Sequence, residues 1–199
     1  MADRLPRHYD IDRFSDIQVF APIYRGELGI DKLNVVLRDA LNPDGEPACA
    51  GRLRIGDKVI LSGRNLHDRG LMNGTLLRLV SERQDDEGLG DRVVVEADDA
   101  VFELTGDDSA ALQPAYACSI HKGQGIELPI AVVVAHPVAG RIFFRREMLY
   151  TAITRATRAT VIVGTLDAVA RAVRTTDTGR RYSRLVPRLQ QNLRNVQGG

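Results

Sequence analysis

The sequence has little with which to build a metal centre, a disulfide framework or a membrane anchor. Its two cysteines, Cys49 and Cys118, stand far apart and in no metal-ligand spacing. With no secretory signal, the expected state of both is a free, buried thiol. No apolar run approaches the length of a bilayer span, and the N-terminal M-A-D-R-L-P-R-H-Y-D has no apolar signal core, so a cytoplasmic location is expected. There is no internal repeat and no low-complexity tract. A phosphate loop is also lacking. The nearest candidate, G-R-L-R-I-G-D-K at residues 51–58, puts Asp57 between the second glycine and Lys58, and Val59 after the lysine. Such a loop needs lysine on the β/γ-phosphates and a hydroxyl on Mg²⁺ at fixed positions, and valine ligates no metal. No strand ending in an acidic pair supplies the other half of such a centre. By itself the chain is expected to hydrolyse no NTP.

What is present fits a folded α/β protein. A length of 199 residues allows one or two domains with a real core, and 44% hydrophobic with 27% charged residues is ordinary. The net charge is only +1 but is unevenly spread. Residues 81–110 hold eleven acidic residues against Arg83 and Arg92, a balance of −9; residues 170–199 hold seven arginines against Asp177, a balance of +6. The acidic stretch reads as a solvated hairpin that avoids nucleic acid. The arginine-rich end reads either as a contact for a polyanion or as a solubilising helix.

Along the chain, residues 1–15 are polar and without period, a leader or linker remnant. Residues 17–21 form a short strand ended by Pro22, and Y-R-G-E-L-G at 24–29 forms a loop. A helix follows over about 31–41, with Leu33, Val36, Leu37, Ala40 and Leu41 on one face and N-P-D-G at 42–45 as its stop. Short β-type runs come next: Leu53, Ile55, Val59 and Leu61, then 75–80, 92–97 and 100–104, with an acidic, glycine-bearing hairpin loop at 84–91. Strands this close together without a helix pattern predict a small β-barrel inserted into the α/β domain. I-A-V-V-V-A at 130–135 reads as a strand buried on both faces, and 159–164 as another. Thr165 is placed to cap a helix over 166–173.

Two blocks concentrate chemistry. S-I-H-K-G-Q-G-I-E at 119–127 lies between two apolar runs, where an α/β domain presents groups to a ligand; its glycines allow tight turns and amides close to an anion. Composition alone leaves a solvated turn equally open. In M-L-Y-T-A-I-T-R-A at 148–156, Leu149, Ala152, Ile153 and Ala156 share a helix face, with Arg155 away from it.

Taken in order, D-I-Q-V-F-A-P-I-Y-R-G-E-L-G-I-D-K-L-N at 16–34, H-K-G-Q-G-I-E and L-Y-T-A-I-T-R-A resemble motifs IV, V and VI of superfamily 1 helicases. The nearest branch is UvrD/RecD-like. More loosely, R-I-G-D-K-V-I…R-N…G-L-M-N-G-T is similar to the Src-homology-3-like insert of RecD-like helicases, and T-G-R-R-Y-S-R-L-V-P-R-L-Q to their C-terminal end. The resemblance covers residues 16–189. It implies the second RecA-like domain, a parallel α/β sheet formed by residues 16–48 and 111–175. The β-barrel insert would occupy 49–110 and a basic tail 176–199. The first, Walker A-bearing domain is not represented.

The resemblance also implies roles. Arg155 would be an arginine finger on the γ-phosphate and Arg25 a second catalytic cation. Gly125 and Glu127 would approach the nucleotide, and Ser119, His121, Lys122, Gln124 and Asn73 would bind the single strand. ATP with Mg²⁺ would be the cofactor only together with a Walker A-bearing RecA-like domain or polypeptide, and single-stranded DNA the other partner. No metal ligand is expected within the chain. Gly123 departs from the family's Ser or Thr, which takes away one hydroxyl. The alternative is a stand-alone nucleic-acid-binding or regulatory module without motor activity.

Overall fold

The computed structural model describes residues 4–83, 92–97, 100–139 and 144–176. The acidic loop at 84–91 and the basic tail from residue 177 lie outside the described residues. Four strands, Ile17–Ala21 (β1), Ala117–Ser119 (β9), Leu128–Ala135 (β10) and Ala156–Gly164 (β11), form a wholly parallel sheet in the order β11-β10-β1-β9. Within β10, every residue from Ile130 to Ala135 is buried, as a strand covered on both faces requires. Alternation divides the side chains between two layers. Ala21 and Val134 meet Ile30 of helix α2 (Ile30–Leu41) on one face. Phe20, Ala131, Val133 and Ala135 meet Leu149 and Ala152 of α4 (Arg146–Ile153) and Ala168 and Ala172 of α5 (Leu166–Arg174) on the other. Burial of each large aliphatic or aromatic group here contributes about 1.5–3 kcal/mol.

Several local expectations change. In α2 the buried residues are Ile30 and Asn34, with Leu33, Leu37 and Leu41 half-buried beside them, whereas Val36 is 52% exposed and Ala40 is exposed. The reason is polar: the Asn34 side-chain amide donates to the Ala117 carbonyl (2.9 Å) and accepts from the Ala117 N–H (2.8 Å), turning the helix toward the edge strand β9. Ala156 starts β11 rather than continuing the helix before it. Nor is β11 buried on both faces; as a sheet edge it leaves Ile162 and Val163 about two-fifths exposed. Thr165 does cap α5, its hydroxyl oxygen accepting from the Ala168 N–H. The N-terminal segment contains a short helix, α1 (Arg4–Tyr9).

Between α2 and β9 the chain forms an antiparallel unit. Its strands are β2 (Pro47–Ala48), β3 (Leu53–Arg54), β4 (Lys58–Leu61), β5 (Leu76–Arg83), β6 (Arg92–Ala97), β7 (Ala100–Thr105) and β8 (Leu112–Pro114), with a four-residue helix α3 (Asp107–Ala110) before β8. β2 pairs with β3, and the other five lie in the order β7-β6-β5-β4-β8. Leu53, Val59, Leu77, Leu79, Val95 and Leu104 give this insert its own core. Among the described residues the outer strands β7 and β8 share no ladder, so the feature seen is a five-stranded antiparallel sheet.

Buried polar groups tie the insert to the parallel sheet. Asp57, with no exposure, accepts from Asn42 Nδ2 (2.9 Å), the Arg54 N–H (2.8 Å) and the Tyr116 hydroxyl (2.9 Å). Burial and then the Asp57 charge push the Tyr116 hydroxyl well up, which keeps it a donor. Next to it, Lys58 Nζ donates to the Phe14 (2.7 Å) and Ile17 (3.0 Å) carbonyls.

Burial pushes the Lys58 ammonium down from 10.5 to about 8, only partly opposed by Cys118, Asp12 and Asp16. Between these two values the unfolded chain holds a proton that the native chain has released. Stability from this group therefore rises with pH through the window and is at its lowest below pH 8. From neutral to mildly alkaline pH, wild type should gain about 2 kcal/mol relative to Lys58→Met. Urea unfolding of both proteins on either side of pH 8 measures this, and a pH-independent difference would mean that Lys58 is solvated.

Candidate functional site

The polar block follows the C-terminal end of β9 and runs to the start of β10. Successive turns shape it: Gly123 N–H to the Ser119 carbonyl, Gln124 N–H to the His121 carbonyl and Ile126 N–H to the Gly123 carbonyl, each 3.2 Å. Ser119 is buried, and its hydroxyl oxygen accepts from the Lys122 N–H (3.3 Å), which makes it a brace for the loop. His121, Gln124, Gly125 and Glu127 are exposed. Gly125 adopts φ +89°, the left-handed region that favours glycine.

Gly123 has a different reason. It is buried, and a Cβ built there would collide with the Phe20 ring, which has no exposure. The hydroxyl absent at this position is thus the counterpart of a large aromatic on β1.

Arg155 meets the same loop from the other side. Its Nε donates to the Thr151 carbonyl (3.2 Å), one terminal nitrogen to the Ile126 carbonyl (3.4 Å) and the other to the Thr154 hydroxyl (3.4 Å). All three acceptors are neutral, so the guanidinium charge is still available to an anion. Where β10 meets β11 the register slips between Leu128 and Ile130, at Pro129, which has no N–H to give. Gly125, Glu127 and Arg155 therefore gather at the N-terminal ends of β10 and β11. Arg25 does not join them. It is exposed in the loop after the C-terminal end of β1, and parallel pairing puts that end of the sheet opposite Arg155.

Four of the five expected strand-binding residues divide between two grooves, and the exposed His121 lines neither. A groove of about 920 Å³ lies between the loop, the insert and residues 12–15, and is lined by Gln124, Gly125, Glu127, Asn73, Arg78 and Phe14. Asn73 is exposed there, with its Oδ1 accepting from the Gly63 N–H (3.1 Å). A second groove of about 470 Å³, between α2, the end of β9 and the insert, is lined by Ser119 and Lys122. Lys122 Nζ donates to the Ser62 hydroxyl (2.8 Å) and to Gln113 Oε1 (3.3 Å), tying the loop to the insert. Sequence reasoning missed this tether, because Ser62 lies 60 residues away and carries no motif. Among the described residues no His/Cys/Asp/Glu group is suited to a metal ion, and no helix is long and apolar enough to cross a membrane.

Comparison with known proteins gives three findings. Residues 114–163 match the model of the UvrD-like helicase C-terminal domain. The chain is 35% identical over 142 residues to the ATP-dependent RecD2 DNA helicase of Deinococcus radiodurans, a match covering 70% of this chain and 19% of that protein. It thus spans about a fifth of the curated relative's length. Among solved structures, the Pif1 helicase from Candida albicans superposes with a TM-score of 0.50 at 16% identity, covering 88% of this chain and 50% of that one. This last likeness concerns the fold alone.

The Phe20–Gly123 contact can be tested by a double-mutant cycle. Gly123→Ser is expected to cost about 1–3 kcal/mol by overpacking, and Phe20→Leu to offset part of that loss in the double variant, giving a coupling of about 0.5–3 kcal/mol. Urea unfolding of the four proteins measures it. Additive losses would show that the ring is not what excludes a side chain at residue 123.

Proposed function

The chain carries a UvrD-like helicase C-terminal domain of superfamily 1, and we propose that it acts as the C-terminal motor half of a RecD-like, ATP-dependent DNA helicase. The observation that supports this most is the arrangement at the N-terminal ends of β10 and β11. A guanidinium bonded only to neutral oxygens stands beside a glycine-bearing loop with an exposed carboxylate, and the loop opens onto a groove shared with the insert.

Phosphoryl transfer needs Mg²⁺, a phosphate cradle, a positioned water and cations that stabilise the charge on the transferring group. Of these, the chain supplies the cation. Arg155 is the finger that forks onto γ-phosphate oxygens. The exposed Glu127 accepts from a ribose hydroxyl, and Gly125 lets the backbone approach the nucleotide. A phosphate-loop-bearing RecA-like domain or polypeptide completes the site and holds ATP with Mg²⁺. Arg25 serves the same nucleotide only if that partner brings its anion to the opposite end of the sheet.

Single-stranded DNA lies in the larger groove. Gln124 and Asn73 face it from two sides, with the insert, a small barrel of Src-homology-3 type, as its wall. His121 is exposed on the same loop, and Ser119 and Lys122 carry strain between strand, loop and insert. A sequence-tolerant grip on backbone and stacked bases is what a translocating motor requires.

A labelled oligothymidine titrated across a salt series, with ATP hydrolysis followed in parallel, tests this reading. Alone, the chain is expected to bind with salt-sensitive affinity and to hydrolyse nothing. Adding the first RecA-like domain of a RecD-like helicase should produce strand-stimulated hydrolysis. Arg155→Ala should lower that rate about 10³-fold or more and leave strand affinity unchanged. Hydrolysis that survives Arg155→Ala would refute the finger assignment. Strand binding with no hydrolysis in any combination would favour the stand-alone binding module.

A further inference from the structure

The smaller groove holds three cations, of which the helicase reading uses only Lys122. Arg38, on the third turn of α2, and Arg52, in the turn before β3, line it with Lys122. Each is bonded only to neutral oxygens among the described residues. Arg38 donates to the Arg52 carbonyl (3.3 Å), Arg52 to the Leu112 carbonyl (3.3 Å) and Lys122 to Ser62 and Gln113. Neighbouring arginines are treated differently: Arg54 pairs with Asp39 and Arg64 with Asp107 and Asp108. The groove has a single carboxylate on its lining, Asp31, exposed in the first turn of α2.

A second observation concerns Arg38 itself. Its Nε–H is shielded from solvent and has no hydrogen-bond acceptor. A buried donor of this kind is rarely left unmet, and the Arg38 guanidinium, bonded at one terminal nitrogen to a neutral carbonyl, keeps its charge available to a phosphate at the groove wall. The apolar part of the lining, Ile30, Ile60 and Val35, weakens competition from water, and Tyr24, half exposed, also lines it. An aromatic face beside a cationic track is how proteins hold single-stranded nucleic acid without reading its sequence.

We propose that Arg38 and Arg52, together with Lys122, form a second phosphodiester site for single-stranded nucleic acid at the β9 edge, between α2 and the root of the insert. The inference rests on the strand-binding reading above and extends it. Ser119 and Lys122 belong to the same loop as Gln124 and Glu127, so a strand crossing this loop touches both grooves. The Arg38 fork takes phosphate oxygens and Arg52 a neighbouring one, while Tyr24 stacks on an adjacent base.

The test uses the full chain. Arg38→Gln, Arg52→Gln and the double variant are titrated with labelled oligothymidine across a salt series. Arg38→Lys keeps the charge but loses the fork, and Lys32→Gln removes an exposed charge from α2 outside the groove. Thermal unfolding checks that each variant is folded. Each single Gln variant is expected to weaken binding about 3–10-fold and to reduce the log–log salt slope by about 0.7, and the double variant to reduce it by about 1.4. Arg38→Lys should restore the slope but not the full affinity, and Lys32→Gln should match wild type.

Groove variants with wild-type affinity and slope would overturn the site while leaving the helicase reading intact. An equal loss in Lys32→Gln would do the same, by reducing the effect to net charge. No strand binding by wild type would remove both. Pyrophosphate distinguishes the source of the phosphate. If it binds wild type but not the double variant while strand affinity is the same in both, the site takes free phosphates, and the strand assignment falls.

Discussion

Asp57 is the point on which the two halves of the structure turn. It lies in the tight turn between β3 and β4, fully buried, and its carboxyl accepts from the end of α2 through Asn42, from its own turn through the Arg54 N–H, and from the entry to β9 through Tyr116. A buried carboxyl is tolerable only when its oxygens are matched by donors. These donors come from the segments that lead into and out of the insert, so satisfying one side chain fixes both of its connections. Lys58 adds a third tie, to the carbonyls just before and within β1. Gln18 adds a fourth, donating to the Ala115 and Tyr116 carbonyls. An antiparallel unit with its own core is thereby held in a set relation to the parallel sheet.

That relation shapes the loop after β9. The loop is pressed from below by the Phe20 ring, which leaves room only for glycine at residue 123, and is held from the insert side by Lys122. Arg155 bonds to it from the third side, at Ile126. A displacement of the insert is therefore felt at a loop that presents Gly125 and Glu127, one residue to either side of the carbonyl that Arg155 holds. The same packing leaves both grooves open and lined by loop residues, so a shift at one groove reaches the other through this loop.

Much of this was legible along the chain. The run at 130–135 had to be a covered strand, because six consecutive apolar residues with three valines offer no polar face. Thr165 was readable as a cap, since a hydroxyl before an amphipathic helix has few better uses. The three helicase blocks identified the domain, because chemistry tied to fixed spacing survives as a local pattern. Readings failed where a distant partner decided the matter. Helical periodicity put Leu33, Leu37 and Leu41 on the half-buried side of α2 but counted the exposed Val36 and Ala40 with them, since it could not know that Asn34 would pair with the backbone of Ala117. The apolar content of 159–164 could not say that β11 would be an edge.

The sequence alone determined most strands and helices of the parallel layer, the order of the helicase blocks and the lack of a phosphate loop. Each of these depends on residues that are neighbours along the chain. Only the tertiary structure decided which of the candidate residues lie together. It gathered Arg155 with Gly125 and Glu127 and sent Arg25 to the other end of the sheet, because parallel strands place the residues before them and after them at opposite ends. It also turned Gly123 from a lost hydroxyl into a packing requirement, and brought Arg38 and Arg52 to Lys122. Contacts of this kind form between residues tens of positions apart, through packing and hydrogen bonds that leave no periodic trace in the sequence.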